Sequence, residues 1–467
     1  MINKKISMII PDFQESKHDN IANILNEQTA EFFCELIVIT RDKKSFRKSA
    51  IDSSVKGLPV SVIENKEGVQ SCLNQAADMA QGEIIYVQSS LDSLDIDVLK
   101  RAKELLTDNY EKINIAFFPQ NKEDNGKMTE GLYHAMLEQK FTPGVFNFLI
   151  KKEYCKLDAT LVPRCAYLKM VMDAVSEEGY FGYTKMGCQQ HVEGVFDPYR
   201  YEEVNSYEAY TKYYDFLLEY MSKKQAETNH APWMFQVLLI KSLDEVLMNY
   251  GLIPESYTNH QKAELRKKIQ QIIDLVEVKP LLRSKKIGPY HLVYLFTFRS
   301  DGMIVRSDAG KFGLYDGEDK LFSWDKIGFY ISKMKGGRGG YQISGTFQNP
   351  ISDFVDIDYF LVKNGQRTKI QTRDSKLSYR KTPQKIAECR EYVLELPYSQ
   401  TGEYYFEAEV LKNKFPVTIV YDKAKAEKHE EEKVIQTTGM EVTIACDSTI
   451  KTRKLSFFER VKRKFSR

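Results

Sequence analysis

The 467-residue sequence predicts an α/β domain with a mostly parallel sheet, then a helical connector, then an all-β, sandwich-like domain. Three observations carry that prediction. Strand-length apolar runs alternate with amphipathic stretches as far as residue 120. Residues 205–280 show helical periodicity only, and from His291 onward short alternating runs are separated by Gly, Asn and Pro. The boundaries fall at 1–204, 205–288 and 289–450, with a basic tail over 451–467.

Residues 6–10 (ISMII) are continuously apolar, as expected of a strand covered on both faces. A helix follows near 20–26, and strands are expected at 35–40 and 59–63. A helix over 67–81, a strand at 84–87, a helix over 95–106 and a strand at 113–118 complete the alternation. Ligands of such sheets bind at the carboxyl ends of the strands, which places Asp12, Thr40, Asn65 and Asp92 on one rim. In the connector, Leu265, Ile269, Ile272, Ile273 and Val276 form the stripe of an amphipathic helix, and 233–247 forms another. Strands are expected at 291–298, 353–362, 403–410, 415–421 and 441–446, with 423–433 as a charged loop. Gly336-Gly337-Arg338-Gly339-Gly340 reads as a hairpin tip, because no Lys-Ser/Thr and helix follow it. Tyr315-Asp316-Gly317 reads as a turn.

A net charge of +2 gives no general reason to expect nucleic acid as a partner. Cysteines at 34, 72, 155, 165, 188, 389 and 446 are odd in number and form no CxxC pair, which argues for a reducing cytoplasm and against structural zinc. No apolar run reaches the ~18 residues that span a bilayer, and the first ten residues are too short for a secretory signal. The tail, KTRKLSFFERVKRKFSR, sets eight basic residues against Glu459 alone, with Leu455, Phe458, Val461 and Phe465 at helical spacing. It is expected to lie as an amphipathic helix on an anionic membrane surface, the other reading being a disordered or partner-binding tail.

The most informative passage is 65–99. Gly68 opens a helix, Gly82-Glu83 ends it, Ile84 to Val87 is a buried strand, and Gln88-Ser89-Ser90-Leu91-Asp92 follows. With Lys5 to Pro11 and Glu35 to Val38, this stretch resembles the GT-A domain of family 2 glycosyltransferases. That family carries an N-x-G-V turn, a helix with Arg-Asn, Gly-Glu, a strand and Asp-x-Asp-Asp. Pro232 to Gln236 is similar to a helix that follows the catalytic domain in surface-polymer transferases. Some wall-teichoic-acid members also have β-sandwich domains and a membrane-facing end.

The resemblance implies a nucleotide-sugar donor, a glycopolymer acceptor and a divalent ion (Mn or Mg) that neutralises the departing diphosphate. Nucleotide-sugar-binding positions then fall on Pro11, Asp12, Arg41, Asn65, Asn74 and Asp92, and the metal position on Asp92. Candidate acceptor bases are Glu177 and Glu178. The chain departs from the pattern in three places. The acidic pair after the second strand is Thr40-Arg41, the helix Arg is Leu73, and Ser89-Ser90-Leu91-Asp92 keeps only the last acid. Losing a unit charge ~4 Å from a cation forfeits ~4 kcal/mol at an effective dielectric near ~20. Asp95 and Asp97 read as first-turn acids of the next helix, with substitute ligation as the other reading.

Three functions therefore stand open. One is an active transferase in which Asp92 with Asp95 or Asp12 holds the ion, or Arg41 replaces it. Another is a non-catalytic scaffold for a second, active glycosyltransferase. The third is a carbohydrate-binding protein using Tyr398, Tyr404, Tyr405 and Phe406, which also read as alternating strand residues.

Overall fold

The computed structural model describes residues 4–11, 13, 32–41, 57–66, 68–89, 92–120, 128–176, 179–185, 187–191, 206–308, 311–323, 328–336, 340–352, 354–375, 382–397, 401–420, 433–436, 440–445, 448–456 and 458–459. The expected helix over 20–26, most of the 423–433 loop, Asp12, Glu177, Glu178, Tyr398 and Cys446 lie outside them. The chain divides into two compact units, residues 1–245 with 255–287, and residues 246–254 with 288–467.

The first unit is built in the order β1 (Ile6–Ile10), β2 (Phe33–Thr40), β3 (Val60–Glu64), α1 (Val69–Met79), β4 (Ile84–Val87), β5 (Ser93–Leu94), α2 (Ile96–Asp108), β6 (Ile115–Phe117), β7 (Gly131–His134), β8 (Phe148–Lys151), α3 (Pro163–Ser176), β9 (Tyr180–Tyr183) and β10 (Gln189–Gln190). Its eight-stranded sheet has the order β3-β2-β1-β4-β8-β6-β9-β7. β1 to β4 run parallel, as the alternation requires. β8 enters antiparallel between β4 and β6, so the sheet is mixed, and β6 and β9 regain the direction of β4. The carboxyl ends of β1, β2, β3, β4, β6 and β9 therefore share one rim.

Every residue of β1 and β4 is buried, which is why these segments read as unbroken apolar runs. A buried carboxylate lies beside them on β2. The buried Glu35 carboxylate accepts from Ser7 Oγ at 2.6 Å and from the Gln81 amide, and Ser7 Oγ accepts from the Gly82 amide at 2.9 Å. This network ties β1 and β2 to the entry of β4.

The connector consists of α4 (Tyr207–Thr228), α5 (Trp233–Asn249), α6 (Asn259–Asp274) and α7 (Val278–Ser284). Thr258 and Gln261 form a capping box at the start of α6, and the stripe from Leu265 to Val276 is buried as its spacing demands. Arg164 of α3, buried, donates to Ser242 and Glu245 of α5. That contact joins the connector to the α/β layer within one unit.

The second unit corrects one expectation at its start. The run 291–298 is not a strand: residues 291–296 belong to α8 (Pro289–Phe296) and the last two form the turn after it. A short, wholly apolar run carries no period that separates strand from buried helix, and Pro289 at the first helical turn settles it here. The strands are β11 (Ile304–Asp308), β12 (Lys311–Asp316), β13 (Asp319–Ser323), β14 (Gly328–Gly336), β15 (Gly340–Asn349), β16 (Asp358–Lys363), β17 (Gln366–Lys369), β18 (Thr372–Asp374), β19 (Glu388–Pro397), β20 (Gly402–Val410), β21 (Asn413–Pro416), β22 (Thr418–Val420), β23 (Lys433–Gln436), β24 (Met440–Ile444) and β25 (Ile450–Lys454).

One sheet has the order β18-β19-β15-β14-β22; a second has β17-β16-β20-β25-β24-β23, with β21 on β20; β11-β12-β13 form a third. Rings from the first two sheets meet between them, Phe329 with Phe406 at 3.7 Å and Phe347 with Tyr359 at 3.6 Å between centroids. This is the core of a sandwich. Tyr404 and Phe406 belong to the buried face, whereas Tyr405 is exposed. Gly336 and Gly340 bound the β14–β15 hairpin, and Asp316, which ion-pairs with Arg299, closes β12 before its turn. The expected strand 415–421 is split into β21 and β22.

The tail departs further from expectation. Residues 451–454 are not helical but complete β25, which pairs with β24 and β20, and Leu455 is buried. Alternation in Ile450-Lys-Thr-Arg-Lys, with Ile450 and Thr452 inward, outweighed the helical spacing counted from Leu455.

Burial pushes the Cys155 thiol up to about 12, and Cys165 also well above the usual thiol range. The folded chain thus keeps a proton at Cys155 that the unfolded chain releases above ~8.5. Stability is expected to fall as pH rises from there through about 12. Denaturant midpoints against pH, with and without Cys155→Ala, check this.

Candidate functional site

Asp92 stands just past β4 at the carboxyl rim and is 1% exposed. Its backbone amide closes a turn on the Ser89 carbonyl at 3.2 Å. Gln88, fully buried, holds that turn by donating from Nε2 to the carbonyls of Ser89 at 3.0 Å and Asp92 at 2.9 Å. The Tyr86 hydroxyl donates to Gln88 Oε1. Burial, and the Asp92 charge behind it, push the Tyr86 hydroxyl well above its ordinary range, so it remains a donor.

The carboxylate meets two groups that no motif spacing foretells. Gln189 donates from Nε2 to Asp92 Oδ2 at 2.7 Å, and His191 Nδ1 lies 3.1 and 3.2 Å from Oδ1 and Oδ2. They arrive there because β10 pairs antiparallel with β5, Gln189 opposite Leu94, and because the Gln189 amide donates to the Pro119 carbonyl beyond β6. They are separated from Asp92 by 97 and 99 positions, so only the folded chain unites them.

The donor set fits two positions of a divalent-ion site. A carboxylate oxygen and an imidazole nitrogen are ligands that such ions take, and here the two lie 3.1 Å apart. Among the described residues no group of three His, Cys, Asp or Glu side chains comes together. Asp92 and His191 would hold the ion. When bound, it would supply positive charge opposite a leaving diphosphate.

The remaining expected positions are placed as follows. Pro11 is buried at the end of β1, Thr40 is buried at the end of β2, and Arg41 is exposed beside it on the rim. Asn65 follows β3, but its Oδ1 accepts from the Gly68 amide at 3.1 Å and from Cys72 Sγ at 3.7 Å, shaping the entry to α1. Asn74 is turned to the Leu157 backbone, donating at 2.7 Å and accepting at 2.8 Å. Leu73 is buried. Asp95 is the N-cap of α2, accepting from the Asp97 amide at 3.2 Å, and Asp97 is the acid of its first turn.

Glu177 and Glu178 lie outside the described residues. Their neighbours Ser176 and Gly179 stand at the amino-terminal end of β9, the end of the sheet opposite Asp92. On the rim beyond β9, residues 184–191 contain no acid. Glu130, at the rim end of β7, accepts from Thr184 at 3.2 Å and from Arg101 at 2.8 Å, and the Arg101 guanidinium holds its carboxyl below the usual range.

Clefts of about 410 and 310 Å³ open elsewhere, on either side of Tyr110 at the amino-terminal end of the strands. Their lysines and acids pair largely with one another or with backbone carbonyls, as in Lys4–Glu83, Lys156–Asp78 and Lys152 with the Ala80 carbonyl. Neither cleft is lined by Asp92, which stands at the opposite, carboxyl end of the sheet.

No family model matches the chain, and no curated protein matches it. Among solved structures it is similar to S. aureus TarS, with a TM-score of 0.51 at 11% identity, over 97% of this chain and 86% of that one. The crystal structure of TarS 1-349 in complex with UDP-GlcNAc gives 0.47 at 11% identity, covering 68% and 99%. Glucosyl-3-phosphoglycerate synthase from Mycobacterium tuberculosis, in complex with Mn2+, UDP and glucosyl-3-phosphoglycerate, gives 0.27 at 12% identity, covering 41% and 73%. The first of these likenesses shows a shared fold along nearly the whole chain: a GT-A-like α/β domain, a helical connector and a sandwich-like β domain.

Proposed function

We propose that the chain is a glycosyltransferase-like protein that binds a nucleotide-diphospho-sugar at the carboxyl rim of its first sheet. Its place is in bacterial cell-surface glycopolymer assembly, of the polysaccharide or teichoic-acid type, at the cytoplasmic membrane face. The observation that carries the reading is the Asp92–Gln189–His191 cluster at the end of β4. The fold shared with TarS supports it. Asp92 and His191 would take manganese or magnesium, Gln189 keeps the carboxylate oriented, and Arg41 is exposed just past the end of β2.

A second reading is a non-catalytic partner of an active glycosyltransferase. It is favoured by residues 184–191, which contain no acid, and by Leu73, which packs in the core where the related pattern has Arg. Calorimetric titration with UDP- and CDP-linked donors, with and without manganese, decides between them. The first reading predicts metal-dependent binding that Asp92→Ala abolishes. No binding of any donor, with another transferase co-purifying, would replace it with the second.

A further inference from the structure

We propose that Gln189 reads the sugar of the donor, its carboxamide oxygen accepting a hydrogen bond from a hydroxyl of the sugar that follows the diphosphate. The inference rests on the donor-binding reading of the same rim. It adds the residue that tells a nucleotide-sugar from the bare nucleotide.

Gln189 is fully buried and is held at two points. Its backbone amide donates to the Pro119 carbonyl, and its Nε2 donates to Asp92 Oδ2 at 2.7 Å. An ionised carboxylate only accepts, so turning the amide over would set two acceptors against each other. Oε1 is the other arm of the same planar group, and among the described residues it meets no donor.

The neighbouring carboxamides make this an exception. Gln88 Oε1 accepts from Tyr86, and its Nε2 donates to two carbonyls. Gln120 exchanges hydrogen bonds from both arms with the Val145 backbone. Asn147 accepts from the Gly144 amide and donates to the Phe118 carbonyl. The fold satisfies both arms of these three amides and leaves one buried acceptor open, one amide away from the Asp92 carboxylate. Such an acceptor calls for a donor that arrives with the ligand.

Position and chemistry select the same donor. In the sheet, β4 has β1 and β2 on one side and β8 and β6 on the other. Arg41 follows β2, Asp92 follows β4, and Gln189 is tied to the chain just past β6. A nucleotide-sugar with its diphosphate at Asp92 and its nucleoside toward Pro11 and Arg41 carries its sugar toward Gln189. Phosphate oxygens are acceptors, which Oε1 repels, whereas sugar hydroxyls donate. Because Oε1 is out of water, a hydroxyl that reaches it displaces no solvent hydrogen bond there.

The test is calorimetric titration, with manganese present, of UDP, UDP-glucose and UDP-N-acetylglucosamine into the full chain and its Gln189→Met variant. Met keeps the unbranched bulk of Gln and is only a weak acceptor. Any loosening of Asp92 acts on the diphosphate, which all three ligands share, and cancels in the ratio of UDP-sugar to UDP affinity. That ratio is expected to fall about tenfold in the variant. Among singly deoxygenated forms of the tighter donor, one is expected to bind the parent about tenfold more weakly and to lose nothing further in the variant. An unchanged ratio, whether all three ligands weaken or none does, would overturn the proposal and leave the donor site standing. So would a parent that tolerates every single deoxygenation, a result that needs no variant to fold. A parent that binds none of the three overturns the donor-binding reading, and this inference with it. In crystals of the parent with donor, a sugar hydroxyl is expected within hydrogen-bond distance of Oε1; an ordered water only, or the manganese itself, in that place contradicts the assignment.

Discussion

Asp92→Ala is expected to lower the stability of the first unit by about 3 kcal/mol and to abolish metal-dependent donor binding. The substitution removes a buried carboxylate that accepts from Gln189 Nε2 and that His191 Nδ1 lies against. His191→Ala alone is expected to cost less stability, about 1–2 kcal/mol, because Gln189 still satisfies one carboxylate oxygen. The double variant is expected to fall short of the summed effects by about 1 kcal/mol, since both changes break one contact. Asp92→Asn separates the two roles. It keeps a buried acceptor for Gln189 but removes the charge, so the folded state should survive largely intact while metal-dependent binding is lost. Chemical denaturation and calorimetry on the four variants check the set, and additive losses would show that Asp92 and His191 act separately.

Gly82→Ala is expected to be the most damaging single-methyl change in the first unit, at about 3 kcal/mol or a midpoint lower by roughly 6–10 °C. A Cβ at this position would lie 2.7 Å from the Lys5 carbonyl and the Ser7 amide and 2.8 Å from Ser7 Oγ. Two of these three atoms are backbone, so β1 or the entry of β4 must move, and the Gly82 amide must leave Ser7 Oγ. Because β1 and β4 hold Pro11 and Asp92 in register, a displaced β4 should also weaken donor binding. A variant that unfolds within a degree of the parent would show that the close packing at β4 is slack.

The parallel half of the first sheet was legible because its strands are buried on both faces, and such strands appear as unbroken apolar runs. β8 was not, since Phe148 to Lys151 is a short run in a stretch with no alternating pattern to assign its direction. α8 and the first residues of the tail were misread for related reasons. Wholly apolar residues carry no period, and a helical spacing that begins at Leu455 includes a side chain already committed to the sandwich.

At the site, the position of Asp92 at the end of a buried strand could be derived, and Asp95 proved to be the helix cap its placement suggested. The partners of Asp92 could not be derived, because a Gln and a His nearly a hundred positions away become its neighbours only through a two-residue ladder between β5 and β10. A polar amide such as Asn74 gives no sign in sequence of whether it faces a ligand or a backbone, and here it binds Leu157. In the β domain, Tyr404, Tyr405 and Phe406 are strand residues as their alternation suggested, and the structure buries Tyr404 and Phe406 and exposes Tyr405.

The central claim is that the end of β4 is where a nucleotide-sugar and its cation meet this chain. The most direct measurement is the anomalous signal of manganese in crystals grown with a UDP-linked donor. The account predicts one strong manganese peak in contact with both Asp92 and His191, with donor diphosphate beside it. A donor bound away from the carboxyl rim, or manganese at any other set of side chains, would contradict it.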